Sequence, residues 1–348
     1  MFLQENSKQF SIFADCNKGF YVSVMKILLA NNHLQKTGGT ENYIYALAVE
    51  LKRQGHIVEY FTFRKGPVSE LLEREGVPFM TGKRYDLILA NHKTCVRKLH
   101  RYGFTIQTCH GTVPSLEQPN IGADFHVSVT EEVKRHLVKK GYRSIVIKNG
   151  IDCRRFAPHK PVSSELSCVL SLCQSDELNE TLKDYYTAAG VKFLSCNKHT
   201  DNVWSIEEKI NEADMVIGIG RSLYDAMACG RCVISYDCSG YMKAELGDGY
   251  ITADNIEAAI ACNCSGRGSG RRFTKDEFID EMMKYNPADA HWARNYALEH
   301  LNIEKVVEDY IAIKAKYWNS CALMRLSKRS VVFDWLNIAW KSISRIFR

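Results

Sequence analysis

The sequence predicts an α/β protein of two doubly wound parallel sheets, each a Rossmann-like domain, facing across a cleft. Three observations carry this. Short apolar strands alternate with helices of about ten residues, the pattern of a parallel sheet covered on both faces. The alternation halts at RFAPHKPVSS, residues 155–164, a polar stretch with two prolines, and then restarts. Glycine turns follow strand ends at Gly38-Gly39, Gly111, Gly150 and Gly218-Gly220. Ligands of such sheets sit outside the carboxyl ends of the strands, so these turns converge on one side of the molecule.

The elements follow in order. MKILLANN reads as a buried strand, and GGTENYIYALAVELKRQGH as a helix with Ile44, Leu47, Ala48 and Leu51 at helical spacing and Gly55 as its stop. IVEYFTF is a strand, VSELLEREG a helix and VPFM a short strand. YDLILAN, TCVRKLHRYG and FTIQTCHG read as strand, helix and strand. ADFHVSVT, EEVKRHLVKKG and SIVIKNGID repeat that pattern. After the linker come LSCVLSLC, ELNETLKDYYTAAG, VKFLSC, SIEEKINEA, MVIGIG, SLYDAMACG and CVISYD, again alternating strand and helix. From Thr274 to Trp318 the pattern is helical, and SGRGSGRR, residues 265–272, reads as a solvated cationic loop, with a lid over the cleft as the sharper alternative.

The expected organisation is a leader without regular order over 1–24, a first domain over 25–158, a second over 159–300, a closing helix over 301–318 and a basic amphipathic tail over 319–348. A chain of 348 residues with 45% apolar composition supports two cores. No apolar run reaches the roughly 18 residues of a membrane span, and the acids and polar residues of MFLQENSKQFSIFADCNKGF argue against a secretion signal. The expected location is cytoplasmic. The 13 cysteines read as reduced, packed thiols. Cys229 and Cys232 form a CxxC that straddles a helix end and a strand start, so no metal site is expected.

Net charge is +6, and residues 321–348 hold Arg325, Lys328, Arg329, Lys341, Arg345 and Arg348 against Asp334 alone. The body is therefore near neutral, which argues against a nucleic-acid partner. In the tail, Val332, Trp335, Leu336, Ala339, Ile343 and Phe347 share one helical stripe with the cations off it. That is the form of a helix lying on an anionic membrane surface; packing on the body or on another subunit is the alternative.

Four segments resemble glycosyltransferase family 4 and its GT-B architecture: TGGTE at 37–41, ADFHVSVTEEVKRHLVKKGY, VIKNGIDCRRFAP at 146–158 and ADMVIGIGRSLYDAMACGRCVISYD. The resemblance covers residues 25–318. It implies transfer of a sugar from a nucleotide-sugar donor to a glycan or lipid-linked acceptor, with retention of anomeric configuration, without a metal and with no cofactor beyond the donor substrate. Cell-envelope polysaccharide synthesis, on the inner membrane face, would fit. The second domain would bind the donor and the first the acceptor.

The residues agree with that chemistry. A helix N-terminus offers free amides and the positive end of its dipole to a diphosphate. Gly218 and Gly220 precede such a start, Ser222 is the expected N-cap, and Arg221 can add a charge-assisted contact. Asp225, one turn on, can accept the hydroxyls of a ribose. In the first domain, His110 in CHGT matches a family histidine beside the transferred sugar and is the expected catalytic residue. Gly38, Gly39 and Glu41, with Lys148 and Asn149 at the hinge, are expected to line the cleft between donor and acceptor.

Three departures stand out. Ile217 occupies the place of the family's first acid, and Asp225 is shorter than the usual second one. SLCQSDELNETLKD carries acids where the family has diphosphate-clamping cations, and Lys183 comes late to replace them. Two alternatives therefore stand beside a transferase: a catalytically degenerate relative that binds a sugar nucleotide or a protein partner, and a sugar-nucleotide epimerase.

Overall fold

A computed structural model describes residues 24–201, 203–239 and 244–321. The leader before residue 24 and the basic stripe of the tail lie outside them. The first domain has strands β1 (Lys26–Ala30), β2 (Ile57–Phe61), β3 (Tyr85–Ala90), β4 (Gly103–Cys109), β5 (Phe125–Ser128) and β6 (Ser144–Val146) in one parallel sheet of order β2-β1-β3-β4-β5-β6. Helices α1 (Gly39–Arg53), α2 (Pro67–Arg74), α3 (Lys93–Leu99) and α4 (Glu131–Lys139) connect them. The second domain has β7 (Cys168–Ser171), β8 (Lys192–Ser195), β9 (Met215–Gly218), β10 (Cys232–Ser239) and β11 (Ala244–Tyr250) in the order β11-β10-β9-β7-β8. Its helices are α5 (Asp176–Ala188), α6 (Ile206–Glu212), α7 (Arg221–Ala228), α8 (Ile256–Ile260), α9 (Lys275–Met283) and α10 (Pro287–His300).

The uninterrupted apolar runs follow from burial on both faces of each sheet. In β1, Ile27 and Leu29 enter one core, and Leu28 and Ala30 enter the core on the opposite face. In the second sheet, Leu170 and Val216 face one core while Val169, Met215 and Ile217 face the other. Side chains alternate along a strand, so each run must be apolar at every position.

The expected strand VPFM is reduced to one bridge, Tyr60 to Phe79. In the second sheet an additional strand, β11, pairs antiparallel with β10, hidden in the sequence behind the glycines and acids of AELGDGY. The expected helical run after Thr274 divides into α9, α10 and α11 (Ile303–Cys321). Helix α11 crosses back: Ile303, Val306, Val307, Tyr310 and Ile313 join the first domain's core. Residues 268–272 are exposed, in line with a solvated loop, but two arginines of the segment are tied down. Arg267 forks onto Glu132 of α4 at 2.7 and 3.1 Å, and Arg271 pairs with Glu281 at 3.1 Å.

Two chain crossings join the domains, one after β6 and one into α11. They pair through Ile151 N–H to Leu301 O at 2.7 Å and Ile303 N–H to Ile151 O at 2.9 Å. Gly150 makes this approach possible, because a Cβ there would lie 2.5 Å from Ile303 Cδ1 and 3.1 Å from Ile303 Cα. Gly150→Ala is expected to cost about 1–3 kcal/mol by overpacking, read as a lower denaturation midpoint. An unchanged midpoint would contradict the close approach.

Candidate functional site

The first domain brings its polar groups to the carboxyl ends of β1, β3 and β4. Asn31 follows β1 and Asn91 follows β3, and the register pairs Ala30 with Ala90, so the two asparagines are neighbours. Asn91 Nδ2 donates to Asn31 Oδ1 at 3.2 Å and to Thr40 O at 3.4 Å. Asn31 Nδ2 donates to Glu41 Oε1 at 3.1 Å and to His33 O at 2.9 Å. Glu41 is thereby buried in the first turn of α1, where the helix dipole favours a carboxylate. It also pairs with His33 Nδ1 at 2.9 Å. Gly38 is the N-cap of α1, and Gly39, the first helical residue, is exposed.

This network orients His110. Both amide hydrogens of Asn91 are engaged, so its Oδ1 is an acceptor, and His110 Nε2, 3.1 Å away, must donate. The ring packs edge-on to Tyr43 at 5.2 Å. Burial is the main force on its pKa, pulling it down to about 3, and His92 and Arg221 push the same way. His110 is therefore a neutral imidazole near pH 7, with Nε2–H fixed and Nδ1 carrying the lone pair.

Across the cleft, β9 runs into α7 through Gly220, whose φ of +58° and ψ of −128° suit glycine. Gly220 is the N-cap of α7 and has no side-chain capping bond. The expected capping role of Ser222 is therefore not realised: it lies in the first turn of the helix, its Cβ about 3.4 Å from where a Cβ on Gly218 would stand. At this end Gly220 N–H donates to Cys264 O at 3.4 Å and Leu223 N–H to Gly220 O at 3.0 Å, so the amides a ligand would meet at the start of the helix are those of Arg221 and Ser222. Arg221 Nη1 donates to Gly150 O at 3.1 Å, and Arg221 Nε stands 3.6 Å from Asp225 Oδ1. Asp225 is only 6% exposed, and burial raises its pKa to about 6 against the opposing pull of Arg221 and Arg155.

Three buried polar atoms here lack a hydrogen-bond partner: Arg221 Nε, Asp225 Oδ1 and Asn149 Oδ1. Asn149 lies beside the His110 ring, so the hinge carries unsatisfied polar capacity between the two domains. Such atoms are costly to bury unpaired. Lys148 is differently placed. Its Nζ donates to Tyr296 OH at 3.0 Å and pairs with Glu257 at 3.7 Å, both in the second domain. Ile217 is fully buried in an apolar core.

Several cleft residues escaped the sequence reading. Asn31 and Asn91 end two like-patterned strands, KILLAN and LILAN, and that echo was their signal. Glu117 lies in a short turn after β4, its Oε2 2.6 Å from where a Cβ on Gly111 would stand. Burial, then the charge of Glu41, raise its pKa to about 7, so it can give or take a proton near neutrality. Among the described residues, no group of three or more His, Cys, Asp or Glu is arranged to hold a metal.

Residues 37–119 match the model for Glycosyltransferase Family 4. A glycosyltransferase from Rickettsia africae superposes with a TM-score of 0.54 at 15% identity, over 84% of this chain and 98% of that one. The chain has the GT-B glycosyltransferase fold. Two further structures with this likeness hold UDP. An S. aureus MnaA complex aligns with a TM-score of 0.50 at 10% identity, over 85% of this chain and 97% of that one. An α-glucosyltransferase with UDP and a 13-mer DNA aligns at 0.51 and 8%, over 84% of this chain and 100% of that one. No curated protein shows significant sequence similarity to this GT-B chain. Among the described residues, no helix is long and apolar enough to cross a membrane.

Proposed function

We propose that this GT-B protein transfers a sugar from a nucleoside diphosphate donor to a glycan or lipid-linked acceptor, with retention and without a metal. The reading is carried by the three unsatisfied buried atoms, Arg221 Nε, Asp225 Oδ1 and Asn149 Oδ1, gathered where α7 begins and opposite neutral His110. The donor's phosphates would lie at the Gly218–Ser222 turn, stabilised by first-turn amides and Arg221. Its ribose hydroxyls would satisfy Asp225. The transferred sugar would reach towards His110 and Glu41, with the acceptor entering past Gly38, Gly39 and Glu117. Negative charge develops on the diphosphate as the glycosidic bond breaks, and groups already aimed at it lower that barrier. A glycan or lipid-linked acceptor, rather than nucleic acid, fits the nearly neutral body, and a cytoplasmic membrane face fits the basic tail.

Calorimetric titration with UDP and GDP, followed by a panel of nucleotide sugars, tests the reading. Arg221→Ala is expected to weaken binding of the preferred nucleotide by about tenfold or more, as for loss of a charge-assisted bond. Unchanged affinity in that variant would sink the donor site. A second reading, a sugar-nucleotide binder without transfer activity, is favoured by buried Ile217 in the place of an acid. Tight nucleotide binding with neither donor hydrolysis nor transfer would establish it.

A further inference from the structure

The segment between β7 and α5 lacks the cations that a diphosphate calls for. Asp176 and Glu177 open α5, and Lys183 pairs with Glu180 at 3.5 Å further along that helix. Arg221 is partly committed to Gly150 O and Asp225, and Lys148 to Tyr296 and Glu257. A nucleoside diphosphate carries at least two negative charges, so a further cation at this edge has a clear use.

Lys198 stands there. It lies in the loop after β8, and β8 is separated from β9 by β7 alone. At about 4.8 Å per strand, the loop begins roughly 10 Å from the α7 turn. The loop is built rather than slack. Asn197, buried, donates through Nδ2 to Asp176 Oδ1 at 2.8 Å and to Gln174 O at 3.3 Å, and its Oδ1 accepts His199 N–H at 3.0 Å. Thr200 N–H and Asp201 N–H both reach Asn197 O, at 3.0 and 2.7 Å. Further on, Trp204 packs edge-on to Tyr45 of α1 at 5.0 Å, docking the loop's far end on the first domain.

The Lys198 side chain is solvent-accessible, yet it lies in the field of Asp237 from its own domain and Glu41 from the other. Burial lowers its pKa, and both carboxylates oppose that shift. Among the described residues it makes no hydrogen bond or ion pair. Asp237, in β10 just beyond its pairing with β9, accepts Gln174 N–H at 3.1 Å through one oxygen, and its other oxygen is buried without a partner. An unpaired ammonium on a hydrogen-bonded loop, in the field of carboxylates from both domains, is suited to an anion that enters the cleft.

We propose that Lys198 binds the diphosphate of the donor nucleotide, supplying from the β8–α6 loop the cation missing after β7. The proposal rests on the nucleotide-donor reading. Titration calorimetry on the full chain, with UDP, GDP, UMP and inorganic pyrophosphate, tests both. Lys198→Ala is expected to weaken the preferred nucleoside diphosphate and pyrophosphate by about tenfold or more, and UMP by a smaller factor. Lys198→Arg should retain most of the affinity, and Lys183→Ala should change none of it. Nucleotide binding that is equal in wild type and Lys198→Ala overturns the Lys198 site and leaves the donor reading intact. Pyrophosphate binding that depends on Lys198, with no nucleotide binding, upholds the phosphate site and overturns the nucleotide reading. Binding of neither overturns both.

Discussion

Asp225→Asn is expected to stabilise the free protein at neutral pH and to weaken nucleotide binding. The carboxyl is 6% exposed, its Oδ1 accepts no hydrogen bond, and Arg221 is too far to donate one at 3.6 Å. Burial therefore outweighs the nearby cations and lifts its pKa from 3.8 to about 6. A raised carboxyl pKa means that the folded state prefers the protonated form. Its stabilising contribution is fully present below the unfolded value and is lost as pH rises through about 6. Near neutrality the charged group thus burdens the folded chain by roughly 2–3 kcal/mol, at about 1.4 kcal/mol per pKa unit. The asparagine removes that burden, so its melting temperature should exceed wild type near neutral pH and converge with it below about pH 4. A gain of equal size at both pH values would attribute the effect to packing instead. Nucleotide affinity should fall at the same time, because on the proposed reading the carboxylate accepts the ribose hydroxyls of the donor. Stability given up for binding in this way is common at functional sites.

Arg231→Ala is expected to destabilise the second domain most among single side-chain truncations outside the cleft. Arg231 is fully buried. Its guanidinium donates to Cys229 O at 3.0 Å, Ala213 O at 3.1 Å, Lys160 O at 2.7 Å and Asn211 Oδ1 at 2.9 Å. It thus ties the interdomain linker, the end of α6 and the end of α7 into one unit. Alanine leaves those acceptors buried and unpaired and opens a cavity as well. Each buried unsatisfied acceptor costs about 1–3 kcal/mol, so a total loss of about 4 kcal/mol or more is expected even with partial relaxation. Chemical denaturation, with limited proteolysis to locate the weakened domain, checks this. A loss below about 1 kcal/mol would show that relaxation or water satisfies the carbonyls.

These residues mark how far the sequence could be read. ILLA, LILA and MVIG announce buried strands because both faces of each sheet are covered, so the apolar pattern is local and complete. The α7 turn was legible because glycines, a cation and an acid lie within eight residues. The cap was misjudged there: serine is a strong capping residue, but Gly220 takes the capping position and displaces it by two residues. Strand β11 was missed because its glycines mask its alternation, and pairing with β10 supplies what its own residues do not signal. Nothing local marks Arg231, since no sequence signal tells a solvated guanidinium from one enclosed by four acceptors.

Two sheets, their cleft and the turns that rim it were determined by the sequence alone, because hydrophobic periodicity and glycine placement act over a few neighbouring residues. Only the tertiary structure decided that Asn91 fixes the His110 proton, that burial and then Glu41 raise the pKa of Glu117, and that Lys198 lies in the field of carboxylates of both domains. Those effects depend on the distance and burial of groups up to nearly 200 residues apart in the chain, from Glu41 to Asp237. Electrostatics and hydrogen bonding act through space, so sequence separation does not reveal them.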